Sequence, residues 1–207
     1  APSNSCLDFA YRATIETDPS LSYDFTVDWG DGTVDTNVTG NITHEYKNPP
    51  EDGCKPYDIK ITGTFPKPFY SENPYAFRRV ATTIKQWGDI EWQVMEDGFN
   101  LESLRILATD IPDLTHCTIL RNMFANVGLS VNESIGDWDV STITDMSGMF
   151  IGTGFNRDIS SWDVSNVTSM ALMFAGGENN VGLNGTYVRG QFNQDTAKWD
   201  MGNVESM

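Results

Sequence analysis

The side chains of this chain that could do chemistry are acids rather than nucleophile–base pairs. Its 207 residues hold 29 Asp and Glu against 13 Lys and Arg, with two histidines, His44 and His116. An activated serine needs a G-x-S-x-G elbow and a zinc-bound water needs H-E-x-x-H; neither pattern occurs. A phosphate-cradling P-loop and a G-x-G-x-x-G dinucleotide fingerprint are also absent. Paired carboxylates alone can hydrolyse glycosides when they stand roughly 5–10 Å apart, but a chain with 29 acids forms such pairs by accident. No enzyme is expected, and no cofactor.

One set of acids recurs at fixed places. Asp139, Asp163 and Asp200 are the second residues of WDVSTITDM (138–146), WDVSNVTSM (162–170) and WDMGNVESM (199–207). Each lies between two inward-looking apolar residues, which places it on the open, concave face of a stacked strand. Neighbouring strands lie about 4.8 Å apart, so the carboxylates would form a ladder of like charge. Either each Asp accepts hydrogen bonds from the S-x-V-T turn beside it, as in an Asx-turn, or the column receives a cation or a basic partner. With Arg105, Asp137, Ser161 and Lys198 these aspartates make up a candidate concave interaction face. A second acidic cluster, Asp28, Asp31 and Asp35 in VDWGDGTVD, lacks calcium-loop spacing because Trp29-Gly30 interrupts it. It reads as a hairpin turn, and no metal is expected.

The elements that must hold these residues fall into two halves. Over residues 1–72, FAYRATIE, YDFTVDW and PYDIKITGTF alternate apolar with polar, the period of a half-buried strand. They predict a small antiparallel β-sandwich. From 73 to 207 the pattern changes to I-x-x-W-x-V-x-x-V at Ile159, Trp162, Val164 and Val167, and again at Ile135, Trp138, Val140 and Ile143. An earlier unit reads Leu101, Leu104, Ile106, and the last reads Thr196, Trp199, Met201, Val204. Val167, Met170, Met173 and Phe174 then follow at the spacing of one helical face, with Ser165 as N-cap. This predicts a solenoid of about four units, each a strand plus a short helix, the last incomplete. Trp138 to Trp162 is 24 residues and Trp162 to Trp199 is 37, so GENNVGLNGTYVRG is an insertion thrown out as a loop. The fold class is multi-domain and β-rich.

The formal charge of -16 repels nucleic acid and anionic lipid, and no apolar stretch is long enough to insert directly in a membrane. Sequons at Asn37, Asn41, Asn132, Asn166 and Asn184 point to a secreted product, with Asn37, Asn41, Asn132 and Asn184 the candidate N-glycosylation sites. Asn166 lies inside the repeat, so its sequon reads as incidental. In a secreted chain Cys6 and Cys54 are the expected disulfide and Cys117 a buried free thiol. The opening Ala-Pro-Ser-Asn reads as a processed N-terminus or a cut boundary.

The run YDFTVDWGDGT…HEY…YDIKITG resembles the polycystic-kidney-disease (PKD) domain, an immunoglobulin-like sandwich. Trp29, Gly30, Asp31, Gly32, His44, Tyr46, Tyr57, Ile59 and Ile61 take the places of that family's motif; the insertion around Cys54 departs from it. Phe155-Asn156 through Phe174 resemble the BspA-like leucine-rich repeats of bacterial and protist surface proteins, and Phe192-Asn193-Gln194-Asp195 begins another copy. The resemblance implies an extracellular or cell-surface adhesion protein that meets a protein or glycan partner through its repeats, with the sandwich as spacer and cap. The alternative is a structural subunit: if Met207 ends the chain, its uncapped repeat would take the N-terminal region of a further copy and build a filament.

Overall fold

The computed structural model of the chain describes residues 12–47, 57–68, 82–99, 103–176 and 190–207. Cys6, Cys54, Asn184 and nearly all of the 177–190 insertion lie outside the described residues. The chain is β-rich with almost no helix, and it divides into two compact units, Ala1–Phe65 and Pro66–Met207. This boundary falls before residue 72 because the Pro66 carbonyl accepts the amides of Gln93 and Val94 at 2.9 and 3.1 Å, tying it to the second unit.

The first unit holds β1 (Arg12–Ile15), β2 (Asp24–Asp28), β3 (Val34–Val38), β4 (Ile42–Glu45) and β5 (Lys60–Thr64). They form two antiparallel sheets, ordered β1-β4 and β3-β2-β5. Alternation in YDFTVDW does what it promised: Phe25 and Val27 are buried while Asp24 and Asp28 are exposed. Strand β3 carries no apolar alternation because it is exposed along nearly its whole length. Between the Phe25–Val38 and Val27–Asp35 pairs two residues of β3 face one of β2, a bulge at which Asn37 takes φ +54°. The final strand begins at Lys60, so Ile59 of the Y-x-I-x-I pattern lies before it and is 42% exposed.

The second unit opens with three short parallel strands, β6 (Thr82–Ile84), β7 (Ser103–Ile106) and β8 (Gly128–Val131). They pair in register, Ile84 to Ile106 to Val131. A second parallel ladder, one residue wide, runs Ile119–Asp145–Ser169–Ser206. It crosses the insertion unbroken, so the extra residues are accommodated without a change of register.

Two expectations about the repeat unit are corrected here. The Trp-Asp-Val runs are not strands, and the Met-Phe runs are not helices: among the described residues the only helical element is a 3-10 turn, Glu133–Asp137. The reason lies in where the amides go. Met149, Ile151 and Thr153 donate three residues back, to Met146, Gly148 and Phe150, at 3.0–3.1 Å. The alternate residues Gly148, Phe150 and Gly152 donate instead to Ala171, Met173 and Ala175 of the next coil at 2.8–3.0 Å. Half the amides are therefore spent between coils, and a left-handed residue every fourth position (Gly148 and Gly152, Asn122 and Asn126) reverses the chain before a helix can propagate. Apolar spacing at i, i+3 cannot distinguish such tandem turns from a helical face.

Stacking these coils makes columns. Leu114, Val140 and Val164 form one; Cys117, Ile143 and Val167 a second; Leu120, Met146 and Met170 a third, all buried. Cys117 is a free thiol in an isoleucine's place, its pKa raised by burial. The outermost column is aromatic: Phe99, Phe124, Phe150 and Phe174 stack at 5.7–5.9 Å between ring centres. One position breaks the pattern. Leu172 takes the place of Asn122 and Gly148, has φ +58° and is 62% exposed. A branched side chain there costs about 1 kcal/mol in strain that asparagine avoids. Leu172→Asn should therefore raise the melting temperature of this unit by roughly 2–3 °C, read by calorimetry; an unchanged or lower value would mean that Leu172 makes contacts worth more than its strain.

Candidate functional site

The recurring aspartates sit at the start of a turn built the same way in every coil. Asp139 Oδ1 accepts the Ser141 amide at 3.1 Å and its hydroxyl at 2.7 Å. Asp163 accepts the Ser165 amide and Asp200 the Gly202 amide, both at 3.0 Å. The next turn bond then closes from Ile143 to Val140, Val167 to Val164 and Val204 to Met201 at 2.9–3.1 Å. These are Asx-turns, as the milder of the two sequence readings had it. Hydrogen bonding from Ser165 lowers the pKa of Asp163, and hydrogen bonding from Thr115 lowers that of Asp113. Asp113 belongs to the same column, with the Thr115 amide at 3.0 Å and Cys117 bonded back to Leu114 at 2.8 Å. Arg105 is expected on the same concave face. Arg105 instead lies on β7 between Thr83 and Ser130, on the other ladder. What hid Asp113 is its neighbour: Pro112 stands where later coils have Trp.

Asp137, Ser161 and Lys198, each directly before a Trp, form an exposed column of their own. The Ser161 hydroxyl donates to the Gly136 carbonyl at 2.5 Å, one coil back. Such coil-to-coil side-chain bonds recur. The amides of Asn166 and Asn203 donate to the carbonyls of Ser141 and Ser165 at 2.8 and 2.7 Å, and the Thr142 hydroxyl donates to the Cys117 carbonyl at 2.9 Å. The indoles of Trp162 and Trp199 donate to the carbonyls of Ile135 and Ile159 at 2.9 and 3.2 Å. Carbonyls of one coil thus accept side-chain donors from the following coil, and those of Ile135 and Ile159 do so besides the amides of Trp138 and Trp162. Sequence reasoning missed Arg121, whose Nε reaches Glu96 at 2.7 Å while Nη1 reaches Asp145 at 3.3 Å, linking three coils. Glu96 and then Asp145 raise its pKa. Its spacing of about one repeat from each acid was the available signal.

Asn132, one of the candidate glycosylation sites, caps the 3-10 turn. Its Oδ1 accepts the Ser134 amide at 3.2 Å and its Nδ2 donates to the Ala108 carbonyl at 2.7 Å.

In the first unit, the acids of VDWGDGTVD each serve a different donor. Asp28 accepts the Gly30 amide at 3.0 Å, and Asp35 accepts the Trp29 indole at 2.8 Å. Asp31 accepts the Thr33 hydroxyl at 2.6 Å and pairs with His44 Nε2 at 2.9 Å. His44 lies stacked on Trp29 at 4.9 Å, and Tyr46 donates its hydroxyl to the Trp29 carbonyl at 3.2 Å. Asp31, Thr33, His44, Glu45, Lys47 and Tyr57 line a shallow recess beside this network. The Thr33 hydroxyl, then His44, hold the Asp31 pKa down at about 2 from its ordinary 3.8. A carboxylate with a lowered folded pKa stabilises above its unfolded value and ceases to as it protonates. The first unit should therefore lose stability as pH falls from about 4 to about 2, a loss that Asp31→Asn removes; equal acid sensitivity of both proteins in melting curves would contradict this role.

Residues 118–207 match the family model described as "Mycoplasma protein of unknown function, DUF285". The repeat region is similar to that family. No curated protein and no solved structure matches the chain. The matched span opens at Thr118, one residue before the ladder Ile119–Asp145–Ser169–Ser206 begins. No helix among the described residues is long and apolar enough to cross a membrane, and no group of three or more metal-ligating side chains occurs among them.

Proposed function

We propose that this chain is a non-catalytic extracellular or cell-surface interaction protein, a PKD-like sandwich joined to a leucine-rich-repeat type of solenoid, whose repeats meet a protein or glycan partner. The observation that carries this reading is the unbroken ladder Ile119–Asp145–Ser169–Ser206. Coils held in one register repeat their outward residues at a fixed spacing, which gives a rigid surface at little entropic cost on binding. The Asp column is committed to its turns and the Ser161 hydroxyl to the Gly136 carbonyl, so contact falls to Asp137 and Lys198 of the neighbouring exposed column. Against catalysis stands the placement of the two histidines. His44 is stacked on Trp29 and paired with Asp31, and His116 lies 3.8 Å from Glu91 on an exposed surface.

The test is a binding panel of extracellular glycans and surface proteins that includes the chain itself. A specific binder is expected, and joint Asp137→Lys and Lys198→Glu substitution should weaken it at least tenfold with the melting temperature unchanged. Binding no stronger than that of an unrelated protein of equal negative charge, across the panel, would sink the proposal.

A further inference from the structure

The sequons of the described residues divide into two kinds by what their side chains already do. At Asn132 and Asn166, both the amide and the hydroxyl of the sequon face the preceding coil. Asn132 Nδ2 and Ser134 Oγ both donate to the Ala108 carbonyl, at 2.7 and 2.9 Å. Asn166 Nδ2 donates to the Ser141 carbonyl at 2.8 Å, and Thr168 Oγ1 donates to the Thr144 carbonyl at 3.1 Å. A sugar on either nitrogen would have to enter the seam between coils that these bonds close.

Asn37 and Asn41 are placed differently. Both are exposed, one on the β3 bulge and the other directly before β4. Among the described residues, Asn37 Nδ2 donates to the hydroxyl of its neighbour Thr36, at 3.3 Å. At Asn41 it is the oxygen that is held, by the Thr17 amide at 2.8 Å and the Thr17 hydroxyl at 3.0 Å, while the sequon's Thr43 hydroxyl pairs with that of Thr14 at 3.0 Å across the β1–β4 sheet rather than across a coil seam. We infer that N-glycosylation, among the described residues, is confined to Asn37 and Asn41 on the β3–β4 connection, leaving the repeats bare. The side-chain amide nitrogen bonds to C1 of an oligosaccharide carried on a lipid pyrophosphate; it loses one proton, and the lipid pyrophosphate leaves. The inference rests on the extracellular reading, and it accounts for how a repeat surface with sequons in it stays open to a partner.

The experiment expresses the full chain, with Asn184→Gln and a sequon in an added flexible tail, in a glycosylating secretory host. The tail sequon reports that the chain reached the lumen, so failure at Asn37 and Asn41 is separable from a wrong localisation. Enzymatic deglycosylation in heavy-oxygen water then marks each occupied asparagine by mass. Label at Asn37, Asn41 or both, lost with Asn37→Gln and Asn41→Gln, is the expected result. Label at Asn132 or Asn166 in soluble protein with a native melting curve would overturn the inference, as would a labelled tail with both Asn37 and Asn41 bare.

Discussion

Replacing Trp29 by alanine is expected to unfold the first unit at room temperature. Trp29 is fully buried, its indole N–H is donated to Asp35, its ring carries His44 and its carbonyl accepts the Tyr46 hydroxyl. Truncating a buried tryptophan costs about 3–5 kcal/mol in packing alone. Leaving a polar partner without its hydrogen bond adds about 1 kcal/mol or more. A unit that ends at Phe65 is small enough that its whole stability is on the order of 5 kcal/mol. Hydrogen exchange followed by mass spectrometry reads the outcome by segment. Amides of β2 should exchange at the rate of an open chain, while those of Met146 and Phe150 keep their protection because their bonds lie within the second unit. Trp29→Phe, which keeps a ring against His44 but removes the N–H, should cost about 1–2 kcal/mol. Retained protection of β2 in Trp29→Ala would show that the network is an ornament of the turn rather than its support.

The second large effect is expected at Phe150, which touches aromatic rings on every side. Its ring centre lies 5.7 Å from Phe124, 5.9 Å from Phe174, 3.9 Å from Phe155 and 6.4 Å from Trp162. Phe150→Ala opens a cavity in the middle of the aromatic column at a cost of about 4 kcal/mol. For a unit of this size that corresponds to a fall of roughly 10 °C in melting temperature. Because each coil is stabilised mainly by its neighbours, the damage should also divide the stack. Coils after Phe150, around Met170 and Met173, are expected to open at lower free energy than those before it, again by hydrogen exchange. Phe150→Leu refills most of the volume and should recover more than half of the loss. A single uniform transition, lowered equally at all coils, would mean that the second unit behaves as one globular core rather than as a stack.

Much of the candidate face could be read directly because identical residues in register must meet identical surroundings. The three Trp-Asp pairs announced both the repeat and the turn, since Asp two residues before a Ser or Gly amide is the local signature of an Asx-turn. The insertion was equally plain, as its length appears as an excess over the repeat. Arg121, by contrast, gave no local sign. Its three-coil linkage depends on which acids the stacking brings beside it: Glu96 lies outside the repeated runs, and where WDVSTITDM has Asp145 the next coils carry Ser169 and Ser206. Arg105 was misplaced because Leu104 and Ile106 show the apolar spacing of the later coils while pairing on a different ladder.

What the residues alone determined is the division into two units, the alternation that buries Phe25 and Val27, and the existence of a repeating coil with apolar columns. These follow from periodicity, which is a property of neighbours along the chain. The tertiary structure decided the rest. Whether the Met-Phe runs wind as helices or fold as tandem turns depends on whether their alternate amides find carbonyls in the next coil, and Gly148, Phe150 and Gly152 do. What the side-chain amides of Asn132 and Asn166 engage is set likewise by the carbonyl across the seam, that of Ala108 and that of Ser141. In each case the deciding partner is about one repeat away in sequence and one strand spacing away in space, a distance that no local pattern encodes.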